Sequence, residues 1–354
     1  MQSTEALAEK RRFHRLAVAR VVDETSDARS IVFAVPPALG PLFAYQAGQF
    51  LTLEVECEGV TLRRCYSLAS SPVAGDEHKV TVKRVNGGRV SNWLNDRLRA
   101  GDTLSVLPPE GRFVLGKGEA PLLLFAGGSG ITPVMSILKT ALATTGRRVR
   151  LLYANRDARS VIFAQEIEGL VRTYAGRLDV LHRHDGVHGF VDARAVRDAL
   201  AAAGLDADCY LCGPSPFMLT VEQALAEAGI APARVHLERF VSPMDAPKTA
   251  APVSRPPLAT VPTVIGVMLE GKRHLVPYEA GKTILRAALD AGLVAPYSCE
   301  EGFCGCCVAQ MREGAVVMEA DDALSAEEKA RGLVLTCQAR PRTPSCAVEY
   351  PEGV

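Results

Sequence analysis

Residues 122–133 read Leu122-Leu123-Leu124-Phe125-Ala126-Gly127-Gly128-Ser129-Gly130-Ile131-Thr132-Pro133: an apolar run, a glycine turn, then a hydroxyl and a proline. An apolar run of strand length that ends in glycine reads as a strand buried on both faces. Val134, Ile137, Leu138, Ala141 and Leu142 follow at helical spacing, with Thr132 suited to the N-cap and Pro133 to the first helical position. Further β-forming runs at 149–154, 178–182 and 208–212 are separated by helical stretches. This alternation predicts an α/β domain over 120–240, a parallel sheet with helices on both faces. A glycine turn into a helix N-terminus lets backbone N–H groups approach a pyrophosphate. The spacing is not G-x-G-x-x-G, so the ordinary dinucleotide fingerprint does not apply, and a plain strand-to-helix turn accounts for the same residues.

Upstream, residues 14–115 read as β structure. Runs at 16–19, 30–33, 50–55 and 80–83 alternate or cluster β-formers between turn residues. About six strands, interrupted by one short helix beginning near Ser91, predict a small closed antiparallel barrel. One strand carries a cation, an aromatic and a hydroxyl in Arg64-Cys65-Tyr66-Ser67, and Gly87-Gly88-Arg89-Val90-Ser91 opens the short helix, a second site for an anion. Each signal is weak alone. Together, with Pro108-Pro109-Glu110-Gly111-Arg112-Phe113 closing the barrel, they are specific.

Downstream, residues 241–262 hold six prolines among Ser, Ala and Thr, a composition that favours an extended spacer. Residues 263–354 restart with a strand pair about Gly271-Lys272 and a helix over 283–291 capped by Thr283. The cysteine loop comes next. Cys299, Cys304 and Cys307 are spaced C-x4-C-x2-C, and Cys337 stands thirty residues on, the spacing of plant-type two-iron two-sulfur ligation. Iron takes soft thiolates, and Gly302 and Gly305 let the main chain wrap closely enough to aim N–H groups at sulfur. Zinc also takes four thiolates, but its structural sites usually show two C-x2-C knuckles, absent here. Cys306 reads as a small packing residue. Cys209 and Cys212 form a C-x2-C pair along a strand rather than at a helix start, and buried thiols are the simpler reading for Cys209.

The bulk numbers set the outer limits. The chain has 354 residues, 48% hydrophobic, and 40 basic residues balance 40 acidic ones. Two or three domains are expected. With no global basic field, nucleic acid and anionic membrane are poor partners. No leader and no apolar stretch of spanning length is visible, so the chain reads as cytoplasmic, where a crowded cysteine loop binds metal more often than it forms disulfides.

In order along the chain, these signals resemble the ferredoxin–NADP reductase superfamily with a C-terminal plant-type ferredoxin domain. Among its members the sequence is most similar to the oxygenase reductases of the 3-ketosteroid 9α-hydroxylase and phenylacetyl-CoA epoxidase type. The resemblance covers the chain from about residue 14 and rests on 64–68, 82–85, 91–94, 128–133, 153–157, 212–218 and 335–341. It implies a multidomain α+β chain: an FAD-binding β-barrel, an NAD(P)-binding α/β domain and a β-grasp ferredoxin domain. Electrons would pass from NAD(P)H to FAD to the cluster and on to a terminal oxygenase of Rieske or di-iron type, the chain being a monomer.

The same resemblance implies roles. Arg64 would meet the FAD pyrophosphate, Tyr66 would stack on the flavin, Ser67 would bond near N5, and Lys83 and Gly88-Arg89-Val90-Ser91 would complete the flavin site. Gly128, Gly130 and Thr132 would cradle the nucleotide pyrophosphate. Cys212, Gly213 and Pro214 would line the nicotinamide, and Glu238 and Phe240 would close the site, the ring covering the flavin. Asn155 and Arg156 would face the adenosine ribose. There Arg156 would favour NADPH and Asp157 would repel a phosphate; the steroid-type likeness points to NADH. Two other readings are a stand-alone NADH oxidase or ferric reductase and a non-enzymatic iron–sulfur flavoprotein sensor. The cluster domain argues against the first, and the intact Gly128–Pro133 turn against the second.

Overall fold

The computed structural model describes residue 9, residues 12–240 and residues 261–351 apart from 303, 322 and 325. The expected spacer lies outside the described residues save for 261 and 262. The described residues divide into two compact units, one of them Phe13–Phe240 and the other containing those from 261 onward.

In the first unit, strands β1 (His14–Thr25), β2 (Ala28–Ala34), β3 (Phe50–Cys57), β4 (Val60–Ser67), β5 (His78–Lys83) and β6 (Thr103–Val106) form one antiparallel sheet in the order β4-β3-β6-β1-β2-β5. Alternate residues such as Leu16, Val18, Ile31, Phe33, Leu51, Leu53, Val80 and Val82 point into its core. Past the end of β4 the chain meets β5 at a bridge between Leu68 and Val80, at Ala69 N–H donating to Lys79 O, and at Lys79 N–H donating to Ser70 Oγ at 3.1 Å. This seam is looser than a closed barrel's because the intervening loop turns away: Ser136 Oγ donates to Ser70 O at 2.6 Å, and the Ser71 and Thr140 hydroxyls lie 2.8 Å apart. The short helix α1 (Arg89–Asp96) starts two residues before Ser91, with Gly88 at its N-cap.

Strands β7 (Leu122–Gly127), β8 (Val149–Asn155), β9 (Leu178–His184), β10 (Asp208–Gly213) and β11 (Val235–Arg239) form an all-parallel sheet in the order β11-β10-β7-β8-β9. All six residues of β7 are buried, as a central strand with helices on both faces requires. Helix α2 (Ile131–Thr144) covers one face, and α4 (Ala193–Ala203) with α5 (Ser215–Glu227) the other; α3 (Ala164–Thr173) joins the first group. Helix α2 begins earlier than Thr132-Pro133 suggests. A 3-10 turn over Gly128–Gly130 runs directly into it, Gly130 is the N-cap, and the Thr132 hydroxyl donates back to Ser129 O at 3.1 Å.

The second unit holds β12 (Val264–Leu269), β13 (Lys272–Pro277), β14 (Val308–Glu313), β16 (Leu333–Leu335) and β18 (Ala347–Glu349) in the order β13-β12-β18-β14-β16, with β15 (Val316–Met318) paired to β17 (Ala339–Pro341). The β12–β18 pair is parallel and the rest are antiparallel, and helix α6 (Ile284–Asp290) supplies Ile284, Leu285, Ala287 and Ala288 to the core, a β-grasp arrangement. The first hairpin turns at Glu270-Gly271, one residue before the expected pair. Both have positive φ, 53° and 71°, as a two-residue turn matched to strand twist needs. Thr283 caps α6 as expected, its Oγ accepting from Arg286 N at 3.2 Å.

The segment between β6 and β7 is tied to the parallel sheet. Arg147, with its side chain fully buried, donates to Ala120 O, to Gly116 O at 3.3 Å and to Asp208 Oδ2 at 2.5 Å. Removing one partner of a buried ion pair leaves the other uncompensated. Asp208→Ala is therefore expected to destabilise the first unit by about 3 kcal/mol, measured as the shift in its denaturation midpoint.

Candidate functional site

The glycine turn and the Cys212-Gly213-Pro214 segment, far apart in sequence, meet backbone to backbone. Cys212 pairs with Ala126 across β10 and β7, which brings the ends of both strands together. A Cβ on Gly130 would stand 2.1 Å from Cys212 O, one on Gly127 2.7 Å from Pro214 Cδ, and one on Gly213 3.0 Å from Gly127 N. The Tyr153 hydroxyl donates to Gly128 O at 3.2 Å and supports the turn from β8. Gly128 has φ +52°, and a Cβ there would lie 3.5 Å from Lys83 Nζ. Lys83, at the end of β5, thus reaches the turn from the barrel, and burial holds its ammonium below its usual range.

A second convergence joins the barrel to β11. Cys212 is paired with Glu238, and Ser67 Oγ, at the end of β4, donates to Glu238 Oε2 at 3.1 Å. Part of the Glu238 surface is open in the cleft. The carboxyl nevertheless lies deep among protein atoms, and that burial pushes it up to about 8 despite the Ser67 hydrogen bond. Cys212 is fully buried, and burial first, then Glu238, drives its thiol well above the ordinary value. It is a packed thiol at neutral pH. Phe240 follows two residues after Glu238 and is 39% exposed. Between them Arg239 is fixed by both carboxylate oxygens of Glu222, each at 2.7 Å.

On the barrel side, Arg64 and Tyr66 lie on β4, and Arg64 Nη1 donates to Arg63 O at 2.7 Å. Tyr66 packs against the barrel core, and burial raises its hydroxyl. Helix α1 has no side-chain cap, so its first N–H groups are left for a ligand or water. Gly88 is required there, since its Cβ would stand 2.6 Å from Ser91 Oγ. Ser91 Oγ itself accepts from Val85 N at 3.1 Å, Val90 is in the barrel core, and Arg89 donates to Cys57 O at 2.7 Å. These three side chains are committed to the fold; what they offer an anion is backbone.

At the end of β8, Asn155 is 4% exposed and lies beside the Tyr153 hydroxyl, and its amide makes no hydrogen bond of normal geometry. Arg156, on the surface, pairs with Asp27 Oδ2 at 2.7 Å. Asp27 carried no signal in the sequence.

In the second unit, Cys299, Cys307 and Cys337 are buried and Cys304 half-buried, all as thiols. Glu301 N–H donates to Cys299 Sγ at 3.4 Å and Gln338 Nε2 to Cys337 Sγ at 3.8 Å. Cys337 first, then burial and Cys304, hold the Cys307 thiol up. Gly302 and Gly305 have φ +86° and +71°. Among the described residues no three His, Cys, Asp or Glu side chains converge on one metal ion. The donor set, four soft sulfurs with N–H donors on two of them, fits the needs of a 2Fe–2S iron–sulfur group, which Cys299, Cys304, Cys307 and Cys337 would hold.

Three family models match in sequence order: an oxidoreductase FAD-binding domain over 15–115, an oxidoreductase NAD-binding domain over 124–223 and a 2Fe-2S iron-sulfur cluster binding domain over 267–342. The chain is 46% identical over 339 residues to the ferredoxin reductase component of 3-ketosteroid-9-alpha-monooxygenase from Rhodococcus rhodochrous, covering 95% of this chain and 96% of that protein. It is 35% identical to one of the subunits of 1,2-phenylacetyl-CoA epoxidase from Escherichia coli (strain K12), covering 96% and 98%. Phthalate dioxygenase reductase, a solved structure described as a modular route from pyridine nucleotides to [2Fe-2S], matches with a TM-score of 0.62 at 27% identity over 96% of this chain and 98% of that one. Among the described residues no helix is long and apolar enough to cross a membrane.

The folded state holds the Glu238 proton up to about pH 8, whereas an unfolded carboxyl releases it near 4.5. Across that window the folded chain binds more protons than the unfolded one, so this group's contribution to stability is complete below about pH 4.5 and is lost as the pH rises through about 8. Glu238→Gln is expected to flatten that dependence, read from denaturation midpoints between pH 5 and pH 8.

Proposed function

The chain belongs to the family of FAD- and 2Fe–2S-containing reductases that serve oxygenases, and on that footing we propose that it takes electrons from NADH and delivers them singly to a terminal oxygenase of Rieske or di-iron type. The Ser67–Glu238 hydrogen bond at 3.1 Å carries this reading. It joins the strand bearing Arg64 and Tyr66 to the sheet bearing Cys212, so flavin and nicotinamide would face one another where barrel and parallel sheet meet.

FAD, when bound, would supply chemistry that no side chain of this chain has, taking two electrons as one hydride and giving them up singly. The protein's part is orientation. Gly128, Gly130 and Thr132, with the first turn of α2, would hold the nucleotide pyrophosphate on backbone N–H groups. Cys212, Gly213 and Pro214 would form the wall against the nicotinamide, small enough for close approach. Arg64 and the uncapped start of α1 would hold the FAD pyrophosphate, with Tyr66 against the ring. Ser67 Oγ, fixed by a Glu238 carboxyl that keeps its proton at neutral pH, would present a polar atom of fixed position to the flavin. Phe240, exposed next to that pair, would cover the flavin until nicotinamide displaces it. Cys299, Cys304, Cys307 and Cys337 would hold the cluster.

The four thiolates and the flavin site belong to different compact units, so losing one group should spare the other. Cys304→Ser is expected to abolish the visible cluster absorbance while anaerobic NADH still bleaches the flavin at a rate within about twofold of native. Loss of both chromophores together would contradict the modular reading.

A further inference from the structure

Beside the glycine turn the nucleotide half of the first unit offers a cation, and the barrel half occupies it. Asp27 lies in the two-residue turn between β1 and β2, and Arg156 directly follows the last residue of β8. Arg156 Nη2 is 2.7 Å from Asp27 Oδ2. The carboxylate is itself fixed, accepting from Thr25 Oγ1 at 2.8 Å, and its side chain is only 21% exposed. The neighbouring acid is committed elsewhere, since Asp157 Oδ1 accepts from Ser160 N at 3.0 Å in a capping box. Arg159 points outward at 94% exposure.

Strand β8 is hydrogen-bonded directly to β7, the strand that leads into the glycine turn. In parallel nucleotide-binding sheets the end of that neighbouring strand is where the adenosine ribose is sensed, a carboxylate suiting the 2′-hydroxyl and an arginine the 2′-phosphate. A free guanidinium at Arg156 would clamp a phosphate with two charge-assisted hydrogen bonds. With Nη2 held by Asp27, the fork is not free to close on a phosphate with both arms, and an incoming 2′-phosphate would have to displace a like-charged carboxylate or share the guanidinium with it. Discrimination of this kind rests on the repulsive element as much as on the attractive one. Resting on the reading of this unit as a nicotinamide-nucleotide reductase, we propose that Asp27 is a specificity-determining residue, which engages Arg156 and sets the site against the 2′-phosphate of NADPH.

The test is the ratio of kcat/KM for NADPH to that for NADH with a small chemical electron acceptor, together with calorimetric affinities for 2′-phospho-ADP-ribose and ADP-ribose. Asp27→Asn is expected to raise the ratio about tenfold and to tighten the phosphorylated probe by a similar factor relative to the other. Adding Arg156→Gln to that variant is expected to return both measures to native. In the native background Arg156→Gln alone is expected to move the ratio less than about twofold, because the guanidinium is already engaged. This arm also decides the matter if Asp27→Asn does not fold. The proposal is overturned if the ratio stays put in Asp27→Asn, if the gain survives loss of Arg156, or if Arg156→Gln alone lowers the ratio about tenfold. A mere brace between barrel and sheet would lower the melting temperature and both efficiencies together, leaving the ratio where it was, and would overturn it too. Should the native protein oxidise neither nucleotide, the reductase reading fails, and the two adenine probes still decide the role of Asp27.

Discussion

A backbone-on-backbone contact governs the first unit. Gly130 lies so close to the carbonyl of Cys212 that no side chain fits between them, and Gly127 and Gly213 repeat the condition on either side. Because three residues there lack a Cβ, the ends of β7 and β10 close to main-chain contact, and the chain leaving β7 coils at once into a 3-10 turn and then α2. The first N–H groups of a helix have no partner within it, and no side chain caps those at the start of α2. The chemistry of the nucleotide site is thus written in atoms that glycine does not have.

The same unit shows how a polar seam fixes the relation of two folds. The barrel sends its 69–77 loop onto α2 through Ser70 and Ser71, a lysine into the glycine turn, and Ser67 to Glu238. Asp76 and Glu166 together hold Lys139, each at 2.5 Å, and Lys79 returns from the barrel to Glu166 at 2.9 Å. Hydrogen bonds and ion pairs of defined geometry specify one arrangement where apolar packing alone would accept several. Hydride transfer is sensitive to small displacements, which makes such a seam useful at a site whose bound groups do the electronic work.

The second unit solves a different problem. A buried thiol crowded by other thiols resists deprotonation, as Cys307 illustrates, and thiolate charge is tolerated there when a metal group takes it and backbone donors offset the remainder. The positive φ angles of Gly302 and Gly305 and the N–H of Glu301 on Cys299 sulfur are the local form of that arrangement.

Much of this was legible in order along the chain, because the signals are local. A run of buried β-formers, a glycine turn and a helical repeat predict a parallel strand-helix unit, and C-x4-C-x2-C needs only residue type and spacing. Thr283 as a cap and the position of β7 follow from interactions within a few residues. The start of α2 escaped, since the capping preference of Thr132 lost to the demand that Gly130 sit against Cys212, a residue eighty-two positions away. Strand β11 was missed as a strand, its five residues carrying mixed polar and apolar character that only pairing with β10 explains. Asp27 on Arg156 and Ser67 on Glu238 belong wholly to tertiary structure. No periodicity encodes which carboxylate reaches which partner, because that depends on how the barrel is set against the parallel sheet, and folding alone brings the two together.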